Sequence, residues 1–180
     1  MIKHWKLYKS VKLNNYKVFS TRNNKCVSPK DNKIYDFYVI DAPDWINVVV
    51  LTIDNEFVLI KQFRHGTRDV EFEIPGGMVD YGEKPLETAK RELLEETGYI
   101  SENWEEIGKV NPNPAIMSNS CYTFLAVDAK KVAEPEFDCN EDIETFLVNE
   151  KSVIDYLKSG KITHSLVVAA FHYYFLRKKE

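Results

Sequence analysis

Apolar and polar positions change rhythm several times along the chain. Over residues 16–20 and 34–40, apolar side chains alternate loosely with polar ones. This predicts two strands, and the Ser28-Pro29-Lys30-Asp31-Asn32 run between them has turn chemistry. Asp41-Ala42-Pro43-Asp44 breaks the pattern. It predicts a joint between an N-terminal β subdomain, residues 1–43, and a second domain, residues 44–180. Two apolar runs, 46–53 and 57–63, flank Asp54-Asn55 and read as a hairpin. A short strand at 70–74 stops at Pro75, and residues 76–84 are Gly-rich and acidic without a period. The period then switches to that of a helix, with Leu86, Ala89 and Leu93 on one face. Pro85 suits its first turn and Gly98 the left-handed position after its end, so the helix spans 85–97. Strands at 105–110, 122–127 and 143–148 follow, then helices at 151–158 and 163–177 broken at Gly160. Many strands with few helices predict an α+β fold, helices packed on a mixed sheet.

Composition narrows the class of protein. Of 180 residues, 44% are hydrophobic, more than a disordered chain carries. Ten Phe, ten Tyr and three Trp supply core and stacking surface. The net charge of −4 and pI near 5.7 argue against a nucleic-acid partner. No apolar run approaches the ~18 residues of a membrane span, so no membrane partner is expected. The opening MIKHWKLYKS has no apolar run of the secretory type. Cys26, Cys121 and Cys139 are an odd, widely spaced set, which fits reduced thiols and a cytoplasmic protein. His4, His65, His164 and His172 are scattered without metal-ligand spacing and read as structural or surface residues.

The informative stretch is EFEIPGGMVDYGEKPLETAKRELLEETGY, residues 71–99. Glu92, Glu95 and Glu96 fall at i, i+3 and i+4, within one sector of a helix surface. Like charges that close oppose the helix by a few tenths of a kcal/mol per pair, so something must offset them. Solvent and the neighbouring Lys90 and Arg91 are one answer, and a hard divalent cation is the other. Mg²⁺ takes oxygen ligands, and a Gly-rich loop lets backbone carbonyls approach it.

The spacing discriminates. Gly77, five residues, Glu83, seven residues, Arg91-Glu92-Leu93, one residue, Glu95-Glu96, one residue, Gly98-Tyr99 resembles the Nudix box of nucleoside-diphosphate-linked-moiety hydrolases. Tyr99 stands where an aliphatic residue is more usual. The resemblance implies the Nudix fold, a mixed sheet between helices, with a small N-terminal antiparallel β subdomain. It implies that Glu92 and Glu96 are the main metal ligands, Glu95 an additional one, and the Gly76 carbonyl a further one. Arg91 would orient the glutamates, and Glu83 would brace the loop or reach a metal through water. Both Glu92 and Glu96 are expected to face solvent. The implied cofactor is Mg²⁺, with Mn²⁺ as an alternative.

Other segments look like the ADP-ribose pyrophosphatase branch of the family. They are Leu59-Ile60-Lys61-Gln62-Phe63-Arg64, then Glu71 through Gly77, and Pro114 sixteen residues beyond Gly98. The loop Asn111-Pro112-Asn113-Pro114-Ala115-Ile116-Met117 lacks the Gly that commonly follows this proline, which leaves room for other nucleoside diphosphate sugars. In that branch the N-terminal β region serves dimerisation and nucleotide binding, which implies a homodimer. Arg64 is a candidate diphosphate clamp, Glu73 a candidate substrate contact, and Trp5 a candidate stacker on the base, with Tyr35, Phe37 and Trp45 as rivals. For the general base the resemblance points to an acidic loop before a late strand. Glu141 is chosen, with Asp142 and Glu144 behind it and Glu95 or Glu73 next. The implied reaction is Mg²⁺-dependent cleavage of ADP-ribose or a related nucleoside diphosphate sugar to a nucleoside monophosphate and a sugar phosphate. The alternatives are another nucleotide conjugate (a GDP-sugar or dinucleoside polyphosphate) and a non-catalytic sensor of ADP-ribose-type ligands.

Overall fold

The computed structural model describes residues 1–137 and 142–178 and resolves them into two compact units. The first comprises Met1–Pro43 with Asn111–Ser120, and the second Asp44–Val110 with Cys121–Glu180.

In the first unit, β1 (Lys6–Asn15), β2 (Ser20–Val27) and β3 (Ile34–Asp41) form an antiparallel sheet in that order. The 34–40 strand was legible, but β1 was not, because all ten of its residues are exposed and no face is apolar. The strand expected at 16–20 is instead mostly the turn between β1 and β2. The Tyr16 N–H donates to the Phe19 carbonyl at 2.8 Å, and the two rings pack 4.8 Å apart. Residues 111–120 extend this sheet. Ile40 N–H donates to the Ile116 carbonyl (2.7 Å) and Ser118 N–H to the Ile40 carbonyl (3.1 Å), a parallel bridge alongside β3.

The second unit holds β4 (Trp45–Thr52), β5 (Phe57–Arg64), β6 (Asp69–Glu73), β7 (Gly76–Met78), α1 (Pro85–Thr97), β8 (Tyr99–Ile100), β9 (Asn103–Val110), β10 (Cys121–Lys131), β11 (Ile143–Val148), α2 (Glu150–Ser159) and α3 (Ser165–Arg177). The eight strands make one sheet ordered β11-β5-β4-β10-β8, with β6 on β5, β7 on β4 and β9 on β10. It is mixed, because β10 runs parallel to β4 while its other pairings are antiparallel. Strand β4 reads as one apolar run because it is covered on both faces. Val48 and Val50 pack with Ala89 and Leu93 of α1, while Val49 packs with Val153 of α2 and Val167 and Phe171 of α3. The expected α+β architecture is the one observed.

Helix α1 starts at Pro85, whose missing N–H has no intrahelical partner to lose. It ends at Gly98, at φ +73°, whose N–H closes on the Leu94 carbonyl at 2.8 Å. A side chain on Gly98 would also overlap the Ala133 carbonyl, so glycine is required twice over.

Candidate active site

Two elements build the site. Pro75 ends β6, and the chain turns into β7, where Gly76 pairs with Asn47 of β4. A Cβ on Gly76 would overlap the Ile46 carbonyl, and one on Gly77 would overlap the Glu92 carboxylate. Gly76 therefore lets β7 close on β4, and Gly77 lets the acidic face of α1 come against the backbone of β7. Gly76 N–H donates to Glu96 Oε2 at 2.9 Å. Glu96 is only 4% exposed, which corrects the expectation that it faces solvent. The reason is this backbone bond, which draws the carboxylate in under the loop. Glu92 does not face solvent freely either: its side chain is 15% exposed, with the carboxylate against Gly77.

Arg91 collects the remaining carboxylates. Its Nη1 donates to Glu92 Oε1 and Glu95 Oε2, both at 2.9 Å. Its Nε and Nη2 donate to the two Glu83 oxygens, each at 3.3 Å. Burial disfavours the Arg91 cation, but the carboxylates around it overcome that and hold its pKa above the ordinary value. Arg91, and after it the Thr88 hydroxyl, hold the Glu83 carboxyl below the usual range. The like-charge repulsion on this face is thus offset by one guanidinium.

Among the described residues, no group of three or more His, Cys, Asp or Glu side chains converges by itself as an ion cage. The carboxylates converge on Arg91 instead. The donor chemistry nonetheless fits a hard divalent cation, with Glu92, Glu95, Glu96 and the Gly76–Gly77 backbone supplying only oxygen donors. The space that a Cβ on Gly77 would fill keeps the Glu92 carboxylate against that backbone.

Arg64 at the end of β5 forms a two-pronged ion pair with Glu73 of β6, Nε to Oε1 at 2.6 Å and Nη2 to Oε2 at 2.7 Å. Glu73 is buried and Arg64 partly exposed. In the first unit, the Trp5 ring stands edge-on to Tyr35 (5.7 Å) and Phe37 (5.3 Å) and is 42% exposed. Glu141 lies outside the described residues. Asp142 is exposed, and Glu144 on β11 pairs with Lys61 at 2.6 Å. Sequence reasoning passed over Thr88, a buried hydroxyl 2.7 Å from Glu83. The available signal was a hydroxyl at four-residue spacing ahead of Glu92 and Glu96.

The NUDIX domain matches residues 43–170. This chain belongs to the NUDIX family. It has the fold and enzyme class that the acidic box implied, those of a Nudix pyrophosphohydrolase. It is 28% identical over 141 residues to the ADP-ribose pyrophosphatase of Bacillus subtilis (strain 168), covering 78% of this chain and 76% of that protein. The methanol dehydrogenase activator of Bacillus methanolicus matches to the same extent. A crystal structure of an ADP compounds hydrolase superposes with a TM-score of 0.84 at 19% identity, covering 99% of this chain and 95% of that one. That likeness shows the fold. Among the described residues, no helix is long and apolar enough to cross a membrane.

Proposed function

We propose that this NUDIX protein hydrolyses the diphosphate of ADP-ribose or a closely related nucleoside diphosphate sugar, in the presence of Mg²⁺ or Mn²⁺, to a nucleoside monophosphate and a sugar phosphate. The observation that carries the reading is the carboxylate cluster of Glu92, Glu95 and Glu96, held against Gly76–Gly77 by Arg91 and a backbone N–H. The ADP-ribose pyrophosphatase and ADP compounds hydrolase among its relatives support an ADP-linked substrate.

Glu92, Glu95, Glu96 and the Gly76 carbonyl would hold the ion. When bound, it neutralises diphosphate charge and lowers the pKa of a coordinated water. Arg91 keeps the acidic face assembled. Arg64, oriented by Glu73 and partly exposed, would bind phosphate oxygens. Trp5, braced edge-on by Tyr35 and Phe37, offers a face to the base. Glu141 is proposed as the acceptor of the water proton. Residues 1–43 are proposed to serve base binding and assembly as a homodimer, in the cytoplasm. The sensor reading is disfavoured because Glu83, Glu92, Glu95 and Glu96 are all present and bonded around the box.

The test is product release over a panel of nucleotide sugars and dinucleoside polyphosphates with Mg²⁺. ADP-ribose or another nucleoside diphosphate sugar should give the highest kcat/KM. Glu96→Gln should lower turnover about a hundred-fold or more while the circular dichroism spectrum is retained. Near-normal turnover of Glu96→Gln at saturating Mg²⁺ would overturn the assignment of that ligand.

A further inference from the structure

Thr88 is fully buried on α1, and Thr88, Glu92 and Glu96 follow one another at four-residue spacing along a single stripe. A β-branched residue with a hydroxyl is a poor choice for that place. Alanine is the better helix former, and a buried hydroxyl is costly unless bonded. The hydroxyl is bonded to Glu83 Oε2 at 2.7 Å, with the Lys84 carbonyl farther off at 3.4 Å. Arg91 reaches the same carboxylate only at 3.3 Å on each oxygen. The shorter bond fixes where Glu83 sits. Glu83 occupies the Nε/Nη2 edge of a planar group, and this sets where Nη1 points. Nη1 is the atom that holds both Glu92 and Glu95.

We infer that Thr88 is a positioning residue for the carboxylate cluster. Its hydroxyl holds Glu83, Glu83 sets the plane of Arg91, and Arg91 presents Glu92 and Glu95 to a divalent cation. The inference rests on the proposed reading of Glu92, Glu95 and Glu96 as metal ligands.

The test is titration of the metal-free protein with Mn²⁺, following the free ion by electron paramagnetic resonance, with melting measured in parallel. Thr88→Val keeps the branched volume and removes the hydroxyl. It should weaken Mn²⁺ binding about ten-fold, the lower end of the range for losing support around the ligands. Thr88→Ser should bind like the wild type. In a Glu83→Ala background, Thr88→Val should cause no further loss, because the path is already cut. Should Thr88→Val fail to fold, Thr88→Ala takes its place in each comparison. Wild-type affinity in Thr88→Val, equal weakening in Thr88→Ser, or full additivity with Glu83→Ala would each overturn the role of Thr88. Glu96→Gln is the control: unchanged Mn²⁺ binding there would overturn the ligand reading beneath the inference. Loss in Glu96→Gln with none in Thr88→Val overturns only the positioning role.

Discussion

Arg91 is the residue on which three carboxylates depend, and Glu83 is the carboxylate that answers it from the loop. The folded state holds Glu83 ionised to lower pH than an unfolded chain would. Its contribution to stability is therefore fully present above the ordinary glutamate value, ~4.3, and is lost as pH falls through the lower folded value. Glu83→Gln should lower the melting temperature most at neutral pH. The melting curves of variant and wild type should converge as pH drops below 4. A gap that stays constant from pH 7 to pH 3 would show that the carboxylate charge is not the stabilising feature. The general base poses a different question, because a ligand carboxylate has its lone pairs governed by the ion and is a poor proton acceptor. A separate acid is needed, and the sequence around Glu141 is rich in them. Glu141→Gln should lower kcat by about 10²–10⁴-fold with substrate Kd little changed. If it is silent while Asp142→Asn cripples turnover, the neighbouring acid is the base.

At the scale of elements, legibility followed the amount of buried surface each segment contributes. Helix α1 was readable to the residue because Pro85 and Gly98 mark its ends and Ala89 and Leu93 mark its inner face. Strand β11 was equally readable, since it feeds Ile143 and Phe146 into the interior. Strand β1 wrote no pattern: it buries nothing, and irregularities at Leu7/Lys9 and Lys12/Asn15 break its period of two. Strand β7 was hidden because two of its three residues are glycine. The box register brought Arg91, Glu92, Glu95 and Glu96 together on paper. The inward turn of Glu96 and the hold of Thr88 on Glu83 depend on backbone and loop positions that no local period encodes. The docking of residues 111–120 beside β3 was equally illegible, since it joins positions more than seventy apart. That docking makes its own prediction. Ser118 gives its N–H to the Ile40 carbonyl and its hydroxyl to Asp41, which also pairs with Arg22. Ser118→Pro removes the N–H and the hydroxyl together, about 1–3 kcal/mol at 0.5–1.5 per bond, or roughly 2–4 °C of melting temperature for each kcal/mol. Proteolysis should then cut within residues 1–43 sooner than in wild type. Unchanged melting and cleavage would mean that the bridge contributes nothing.

For the whole molecule, the first unit sets the outstanding problem, because three strands and a loop enclose very little core. Its cross-strand rows show where the apolar surface goes. Leu7, Cys26 and Tyr35 stand in one row, and Val11, Asn23 and Tyr38 in another. Cys26 and Asn23 are three positions apart on β2, so the two rows lie on opposite faces. Leu7 and Tyr38 are 53% and 66% exposed, so each face leaves apolar surface open to solvent at its edge strand. The edge strand β1 carries Lys6, Lys9 and Lys12, a composition that discourages indiscriminate edge pairing and leaves the faces as the surface to bury. A two-fold homodimer would cover such a surface with about 800 Å² per partner, the usual size of a stable interface. The base-stacking role proposed for Trp5, with its Tyr35 and Phe37 brace, belongs to the same unit. Light scattering should therefore report twice the 21.0 kDa chain mass at micromolar concentration. Leu7→Asp or Tyr38→Asp should shift the protein towards the single-chain mass, and the variant that does so identifies the face used. Turnover should fall with dissociation, through KM more than kcat, because the carboxylate cluster of the second unit stays intact. A monomeric wild type with full turnover would refute both the dimer and the role given to the first unit.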